Sequence, residues 1–183
     1  PDSILNLRET GEDALGDIDT LVTSQGSVAT TPVTEMSDEE WGKDIDVLLT
    51  GAFRAIREFG GAMGEGSIVN ISSMSAEQSR EGRPSYVSAK AGLNGLTRAT
   101  AADLAPDVRV NAIAPGFVKT ELAGPKLDDG SEFREGVDER TPMDRVATPD
   151  EISGAALYLA SDAASFTTGE IVTIDGGYDR SSV

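Results

Sequence analysis

Three residues near the middle of the chain, Ser73, Tyr86 and Lys90, have the side chains and spacing for proton transfer to an alcohol or carbonyl oxygen. Tyr86 and Lys90 are at positions i and i+4, a spacing that places both on one face of a helix. A phenol is a poor base at neutral pH, but a neighbouring ammonium favours its ionised form. The Ser73 hydroxyl, which can donate and accept, could hold the substrate oxygen beside the phenol.

Two predicted elements position these residues. Residues 67–72 are predicted to form a buried strand, because a short apolar run lies between a glycine and two serines. Residues 86–104 are rich in Ala and Leu and predict a helix, and Pro84 suits its first turn. Ser73 then follows the carboxyl end of a strand, where open α/β sheets form their ligand crevice. Taken alone, the Tyr-x-x-x-Lys spacing also fits a core tyrosine beside a solvated lysine.

The motifs around this trio resemble the short-chain dehydrogenase/reductase family, particularly its 3-oxoacyl-carrier-protein reductase and glucose dehydrogenase-like branch. The segments IVNISS, YVSAKAGL, VRVNAIAPGFVKTEL and TGEIVTIDGGY stand in the family's order, and Ser73 precedes Tyr86 by 86 − 73 = 13 residues, the family's usual interval. The resemblance implies an NAD(P)-dependent oxidoreductase that acts on small alcohols or carbonyls. It makes Tyr86 the general acid/base, while Ser73 positions the carbonyl and Lys90 assists the tyrosine and binds the nicotinamide ribose.

The resemblance also implies the fold class, which is α/β with a doubly wound parallel sheet of the Rossmann-like type. Members of the family begin with a strand, a T-G-x-x-x-G-x-G phosphate loop, a helix and two more strands, and these 183 residues contain no such loop. We therefore expect one domain, residues 1–183, that corresponds to the C-terminal two-thirds of the family's domain and holds about its last four strands. The expected enzyme is the full-length form, and the 183 residues alone are expected to be inactive.

Residues of the cofactor's reactive end follow from the resemblance as well. NAD or NADP is expected to contact Gly26, Tyr86, Lys90, Pro115, Gly116, Val118 and Thr120. Two departures weaken the match: Thr23-Ser24-Gln25 replaces the usual Asn-Asn-Ala, and Leu48 replaces the asparagine that carries a water in the family's proton relay. The glycines of residues 60–66 match the phosphate-loop spacing, but they follow a predicted helix and precede a strand, so we interpret them as a helix C-terminal turn.

The remaining elements follow from capping signals and periodicity. We predict helices over residues 3–15, 38–56 and 151–161, strands over 18–24, 108–113 and 170–174, a loop over 27–36 and a polar substrate lid over 121–147. The capping boxes that begin at Ser37 and Thr148 mark two of the helix starts.

The charge balance restricts the partners. The chain has 32 acidic and 15 basic residues, giving a formal charge of −17, and its four lysines are Lys43, Lys90, Lys119 and Lys126. Nucleic acid is not expected as a partner, because phosphate binding needs a basic face. Few lysines among many carboxylates favour a protein adapted to high salt, where screening removes the self-repulsion. An ordinary acidic cytosolic protein is the alternative.

Absent residue types restrict the chemistry. The chain contains no cysteine and no histidine, which excludes disulfides, thiolate or histidine metal sites and Ser-His-Asp catalysis. We expect no metal. No apolar run approaches the ~20 residues of a membrane span, and no signal peptide is seen, so we expect a cytoplasmic protein without a membrane partner.

Three functions stay open at the sequence level. The leading one is the oxidoreductase of a small-molecule alcohol or carbonyl. The second is a degenerate binding or scaffold subunit, suggested by Leu48 and Thr23-Ser24. The third is a cofactor-free lyase related to the halohydrin dehalogenases, which resemble this family but carry arginine at the position of Lys90. A homo-oligomer, dimer or tetramer, is expected in each case through the bare edge of residues 18–24 and helices 38–56 and 86–104.

Overall fold

Short apolar runs form the strands of a single sheet in the computed structural model, which describes residues 2–78 and 80–180. The strands are β1 Thr20–Thr23, β2 Gly66–Ile71, β3 Val108–Pro115 and β4 Ile171–Ile174, in the spatial order β1-β2-β3-β4. Every neighbouring pair is parallel. This confirms the predicted α/β class with four parallel strands, and it brings all four carboxyl ends to one edge of the sheet.

Helices cover both faces of the sheet, as a doubly wound fold requires. They are α1 Asp2–Leu15, α2 Asp38–Ile45, α3 Gly51–Gly60, α4 Pro84–Leu104, α5 Glu132–Arg140 and α6 Pro149–Ala160. Successive residues of β2 show the two layers, because side chains alternate along a strand. Ile68 packs towards α3 and α4, against Ile56 and Ala101, whereas Val69 packs towards α6, against Leu159.

Local sequence signals explain where several helices begin. The Ser37 hydroxyl accepts the backbone N–H of Glu40, and the Glu40 carboxylate accepts the backbone N–H of Ser37, which confirms the predicted capping box before α2. A second box formed by Thr148 and Glu151 precedes α6. Pro84 occupies the first turn of α4 as predicted.

The predicted continuous helix over 38–56 is wrong in its middle and at its end. Residues Asp46–Thr50 form a π-helical turn between α2 and α3, and α3 continues to Gly60. A π-helical turn contains one residue more than an α-helical turn. Both sides of it stay packed, since Leu48 within the turn and Ala52 after the turn are fully buried. Periodicity alone does not reveal such a turn, since the apolar spacing shifts by a single position.

The predicted polar lid over 121–147 also needs correction, because it holds helical structure. A 3-10 segment, Glu121–Leu127, is followed by α5. The Ser131 hydroxyl accepts the N–H of Arg134 at the start of α5, and Arg134 pairs with Asp138 one turn later. Val137 is the buried residue of α5 and joins a cluster with Met74 and Tyr178. The segment is therefore packed onto the end of the sheet.

The glycine run after α3 is a helix end, as predicted, and no phosphate loop. Gly60 ends α3, and a Cβ added there would lie 2.9 Å from Leu104 Cδ1, so close helix packing explains this glycine. The chain then enters β2 at Gly66. Among the described residues, no helix is both long and apolar enough to cross a bilayer.

Candidate active site

Ser73 lies just beyond the carboxyl end of β2, as the sequence predicts. Its backbone is still extended, and its hydroxyl accepts the N–H of Ser75 at 3.1 Å, which begins a short 3-10 turn over Met74–Ala76. The side chain is half-buried. The turn leads the chain away from the sheet, so Ser73 lies at the mouth of the crevice.

Tyr86 and Lys90 lie on successive turns of α4, and the structure brings them together. The Lys90 Nζ is 5.9 Å from the centroid of the Tyr86 ring. It donates a 2.6 Å hydrogen bond to the carbonyl oxygen of Ile71, the last residue of β2. Lys90 is therefore fixed at the strand end that precedes Ser73, and the three predicted catalytic residues share one edge of the sheet.

The Lys90 ammonium is buried, with 4% of the residue exposed. Burial lowers the pKa of Lys90 from its ordinary value of 10.5 to about 8, because a low-dielectric environment disfavours the charged form. The group is still cationic at neutral pH. An ammonium has three N–H donors, and the bond to Ile71 occupies one of them.

Asn94 is a further polar residue of this site that the sequence analysis missed. It lies one turn after Lys90 on the same face of α4, is buried, and accepts a 2.6 Å hydrogen bond from the Ser72 hydroxyl. A cavity of about 10 Å³, lined in part by Ser73, Asn94 and Thr173, adjoins this pair; it has room for about one water molecule. The continuing i, i+4 spacing after Tyr86 and Lys90 was the available signal.

The segment predicted to meet the nicotinamide crosses the carboxyl ends of β3 and β4. The Gly116 N–H donates to the carbonyl of Ile174 at 2.9 Å, and a Cβ on Gly116 would lie 2.7 Å from Asp175 Cα, so only glycine fits this close approach. Val118 forms an isolated bridge with Ala147. Pro115 ends β3, and the Thr120 hydroxyl accepts the N–H of Ala123 to begin the next 3-10 segment.

Gly26, the remaining predicted cofactor residue, is exposed in the loop after β1. Because β2 lies between β1 and β3, Gly26 is separated by one strand from the segment that follows β3. Nearby Thr23 has a structural function: its hydroxyl donates to Asn70 at 2.7 Å, and the Asn70 amide donates to Thr97 at 3.0 Å. This buried chain of hydrogen bonds joins β1, β2 and α4.

Leu48, which replaces the family's asparagine, is fully buried in the π-helical turn. Its carbonyl oxygen accepts a 3.2 Å hydrogen bond from the Gln25 side-chain amide. Leucine offers no polar side-chain atom, so this position contributes only its backbone carbonyl, and Gln25 occupies one of the two lone pairs of that oxygen.

Asp44 is a buried carboxylate close to the first turn of α4, and the sequence analysis did not identify it. It accepts hydrogen bonds from the Ser27 hydroxyl at 2.6 Å, the Ala29 N–H at 3.0 Å and the Ser85 hydroxyl at 2.6 Å. Burial raises the pKa of Asp44, but these bonds and Lys43 together lower it below its ordinary value. A carboxylate that joins the loop after β1 to the residue before Tyr86 therefore helps to order the site.

An aromatic cluster packs against Met74, in the turn that follows β2. The Phe117 ring makes edge contacts with Phe133 at 5.7 Å and with Tyr178 at 5.2 Å between centroids. Two guanidinium groups lie over these rings: Arg80 over Phe117 at 4.9 Å and over Tyr178 at 5.7 Å, and Arg140 over Tyr178 at 4.5 Å. No group of three or more carboxylates that could hold a metal ion occurs in the part of the chain that the structure describes.

Known proteins resemble this chain in sequence and structure. The chain matches the family described as enoyl-(acyl carrier protein) reductase over residues 1–179. Galactitol 2-dehydrogenase (L-tagatose-forming) of Cereibacter sphaeroides is 42% identical over 174 residues, which cover 91% of this chain and 67% of the relative. The 3-oxoacyl-[acyl-carrier-protein] reductase of Thermotoga maritima is 36% identical, with 96% of this chain and 72% of the relative covered.

A solved structure gives the same result for the fold. The crystal structure of a gluconate 5-dehydrogenase from Burkholderia cenocepacia J2315 in complex with NADP and tartrate matches with a TM-score of 0.92 at 31% identity, covering 97% of this chain and 71% of that one. The chain thus spans between 67% and 72% of the length of these three proteins.

Proposed function

The chain belongs to the short-chain dehydrogenase/reductase family, and from this premise we propose that it supplies the catalytic part of an NAD(P)-dependent oxidoreductase that interconverts an alcohol and a carbonyl. One observation carries the proposal. The buried Lys90 ammonium is held between the Ile71 carbonyl and the Tyr86 ring, next to the strand end that presents Ser73.

Each member of the trio has a role that its chemistry supports. In the direction of carbonyl reduction, the Tyr86 hydroxyl gives its proton to the substrate oxygen, and in alcohol oxidation the tyrosine oxygen takes it back. The Ser73 hydroxyl donates to the substrate oxygen and holds it within reach of the phenol. The Lys90 ammonium places a positive charge 5.9 Å from the centroid of the Tyr86 ring. The nicotinamide cofactor, when bound, supplies or accepts the hydride.

The residues present fit the nicotinamide end of the cofactor. Lys90 is buried and uses one of its three N–H donors on Ile71, which leaves donors for ribose hydroxyls. Pro115, Gly116, Val118 and Thr120 form the segment that would contact the nicotinamide amide, and Gly26 would lie at the opposite side of the crevice. A glycine loop between a strand and a helix N-terminus, as pyrophosphate binding requires, does not occur among the described residues.

The relatives suggest a range of substrates rather than one. One is named for a neutral polyol, one for a thioester-linked 3-oxoacyl group and one for a sugar acid. We infer a small hydroxy or oxo compound as the substrate of this chain, since these three share an alcohol or carbonyl as the reacting group.

A second candidate rests on Leu48. Because that side chain is fully buried and apolar, it offers no donor or acceptor to a proton relay at this position, and a non-catalytic binding subunit of the same fold would be built in the same way. Turnover distinguishes the two: the binding subunit has none with any alcohol or carbonyl.

The test of the leading proposal is Tyr86→Phe in the full-length gene product. The substitution removes the transferable proton and keeps the ring, so we expect kcat to fall by about 100-fold or more, in line with general acid–base catalysis, while the melting temperature changes little. Tyr158→Phe, on the half-exposed face of α6, is the matched control and should keep its rate. A near-normal rate in Tyr86→Phe would remove the basis of the proposal.

A further inference from the structure

Arg80 lies between Ser73 and Tyr86 in the chain, and its guanidinium lies over two rings of the aromatic cluster. It lies 4.9 Å from the Phe117 centroid and 5.7 Å from the Tyr178 centroid. Contact with two rings restrains the guanidinium, and Nη1 forms no hydrogen bond within the described part of the chain, so a planar anion could bind at this end of the group. An arginine ordered in this way is prepared for ligand recognition.

The hydrogen bonds of Arg80 are weak and go to neutral groups. Nε donates to the Ser75 hydroxyl at 3.3 Å, and one terminal nitrogen donates to the Gln78 side-chain carbonyl at 3.4 Å. Within residues 2–78 and 80–180, Arg80 forms no ion pair. This is notable in a chain with 32 acidic and 15 basic residues.

Two carboxylates on the same edge of the sheet are engaged elsewhere. Asp175 accepts the N–H groups of Gly177 and Asp179, and Asp179 accepts the side-chain amide of Gln78. Gln78 bonds to both Asp179 and Arg80, so neither carboxylate forms an ion pair with the guanidinium among the described residues.

Arg80 is also close to the reacting groups. The Ser75 N–H donates to the Ser73 hydroxyl at 3.1 Å, and the Ser75 hydroxyl accepts from Arg80 at 3.3 Å. Through these contacts, the Arg80 Nε lies no more than about 10 Å from the Ser73 oxygen. Phe117, beneath the guanidinium, is part of the segment expected to meet the nicotinamide. A small molecule could reach both Ser73 and Arg80.

We propose that Arg80 binds the carboxylate of the substrate, so that this site acts on hydroxy or oxo acids rather than on neutral polyols. The inference rests on the proposed function and selects among its substrate classes. A guanidinium pairs with a carboxylate through two parallel N–H···O bonds, and such charge-assisted bonds are about twice as strong as neutral ones. In a molecule with a net charge of −17, a local cation also offsets the repulsion that an anionic substrate meets.

The experiment measures binding without turnover. D-gluconate and D-glucitol share a polyhydroxy chain and differ in one terminal carboxylate. Calorimetric titration of the full chain with each ligand, at fixed ionic strength, therefore isolates the contribution of the carboxylate to binding. We compare the wild type with Arg80→Gln and Arg80→Lys. Arg98→Gln, which removes an exposed arginine on α4, is the matched control for net charge.

We expect Arg80→Gln to weaken gluconate binding by about tenfold or more, Arg80→Lys to recover part of the loss, and Arg98→Gln to have little effect. Glucitol binding should stay weak and unchanged in all variants. Equal losses in Arg80→Gln and Arg98→Gln, equal effects on both ligands, or no measurable gluconate binding by the wild type would each overturn the inference. A melting curve of each variant shows whether the loop change has disturbed the fold.

Failure of this inference and failure of the proposed function give different results. The titration contains no hydride or proton transfer, so it measures gluconate binding whether or not the protein turns over any substrate. If turnover is absent but binding depends on Arg80, only the oxidoreductase proposal falls. If a neutral polyol is turned over and the carboxylate gives no advantage, only the role of Arg80 falls.

Discussion

Lys90 carries a positive charge at neutral pH although its ammonium is almost completely buried. The energetic cost of removing that charge from water is visible in its pKa, which burial lowers to about 8. A single hydrogen bond to Ile71 compensates part of the cost. The residue therefore destabilises the fold in its charged state, and a site that needs the cation for its chemistry would retain it despite this cost.

The lowered pKa of Lys90 predicts the direction in which the free energy of unfolding changes with pH. Between pH values of about 8 and 10.5, the unfolded chain binds a proton at Lys90 that the folded chain does not bind, so this group makes stability rise with pH in that window. We expect the wild type to gain about 2 kcal/mol relative to Lys90→Met between about pH 8 and pH 10, measured by urea unfolding.

Lys126→Met, which removes an exposed lysine in the last turn of the 3-10 segment Glu121–Leu127, serves as the control for this titration. It should follow the wild type across the whole range. Parallel stability curves for the wild type and Lys90→Met would mean that the ammonium is solvated in the folded protein.

Single residues were predictable from the sequence where spacing along one element defines them. Ser73, Tyr86 and Lys90 lie at one edge of the sheet because a strand end and one helix face place them there, and both elements were predictable. Asp44 and Asn94 were not found, because their partners, Ser27 and Ser72, come from other elements, and no local pattern marks a polar residue as buried.

At the scale of elements, Asp44 connects three segments that the sequence shows only as separate units. It belongs to α2, and its carboxylate binds the loop after β1 through Ser27 and Ala29 and the first turn of α4 through Ser85. The loop after β1 carries a proposed cofactor residue, and α4 carries Tyr86. The position of the loop after β1 relative to α4 thus depends on the Asp44 carboxylate.

We expect Asp44→Ala to destabilise the protein by about 2 kcal/mol or more, because it leaves the buried Ser85 hydroxyl and the half-buried Ala29 N–H without their acceptor. Asp44→Asn should cost less, since the amide oxygen can accept from Ala29 and Ser85 while its NH2 donates to the Ser27 hydroxyl. Guanidinium unfolding measures both, with the exposed Asp103→Ala on α4 as control.

The pH dependence of this contribution follows from the lowered pKa of Asp44. A depressed carboxyl pKa stabilises the fold fully above the pKa of the unfolded state, and the contribution is lost as the pH falls through the folded value. The difference between wild type and Asp44→Asn should therefore shrink in acid. A difference that grows in acid would contradict the assignment.

The segment over 121–147 shows where element prediction failed. Its composition is polar, with glycines and a proline, and α5 exposes most of its residues to water. Helix formation there depends on the Ser131 cap and on burying Val137 against Met74 and Tyr178. Those partners are distant in sequence, so only the assembled fold shows that the segment over 121–147 contains a helix.

At the scale of the whole molecule, binding of a dinucleotide is opposed by the distribution of charge and favoured at only one end of the ligand. The described residues offer Lys90 and the segment after β3 to a nicotinamide riboside. Phosphates would meet a molecule with a net charge of −17. Repulsion of this kind is long-ranged at low salt and is screened over about 10 Å at 0.1 M ionic strength.

We therefore expect these 183 residues to bind NADH and NADPH with a Kd of roughly 1 mM or weaker, about −4 kcal/mol, and to show no dehydrogenase activity by themselves. Added salt should strengthen the binding, because it screens repulsion. Fluorescence titration across a salt series measures this, and dihydronicotinamide riboside, which lacks phosphate and carries no charge, should bind with little salt dependence. A micromolar Kd that weakens as salt increases would instead identify a cationic phosphate site, and the glycines that end α3 would then have to be reconsidered as its backbone.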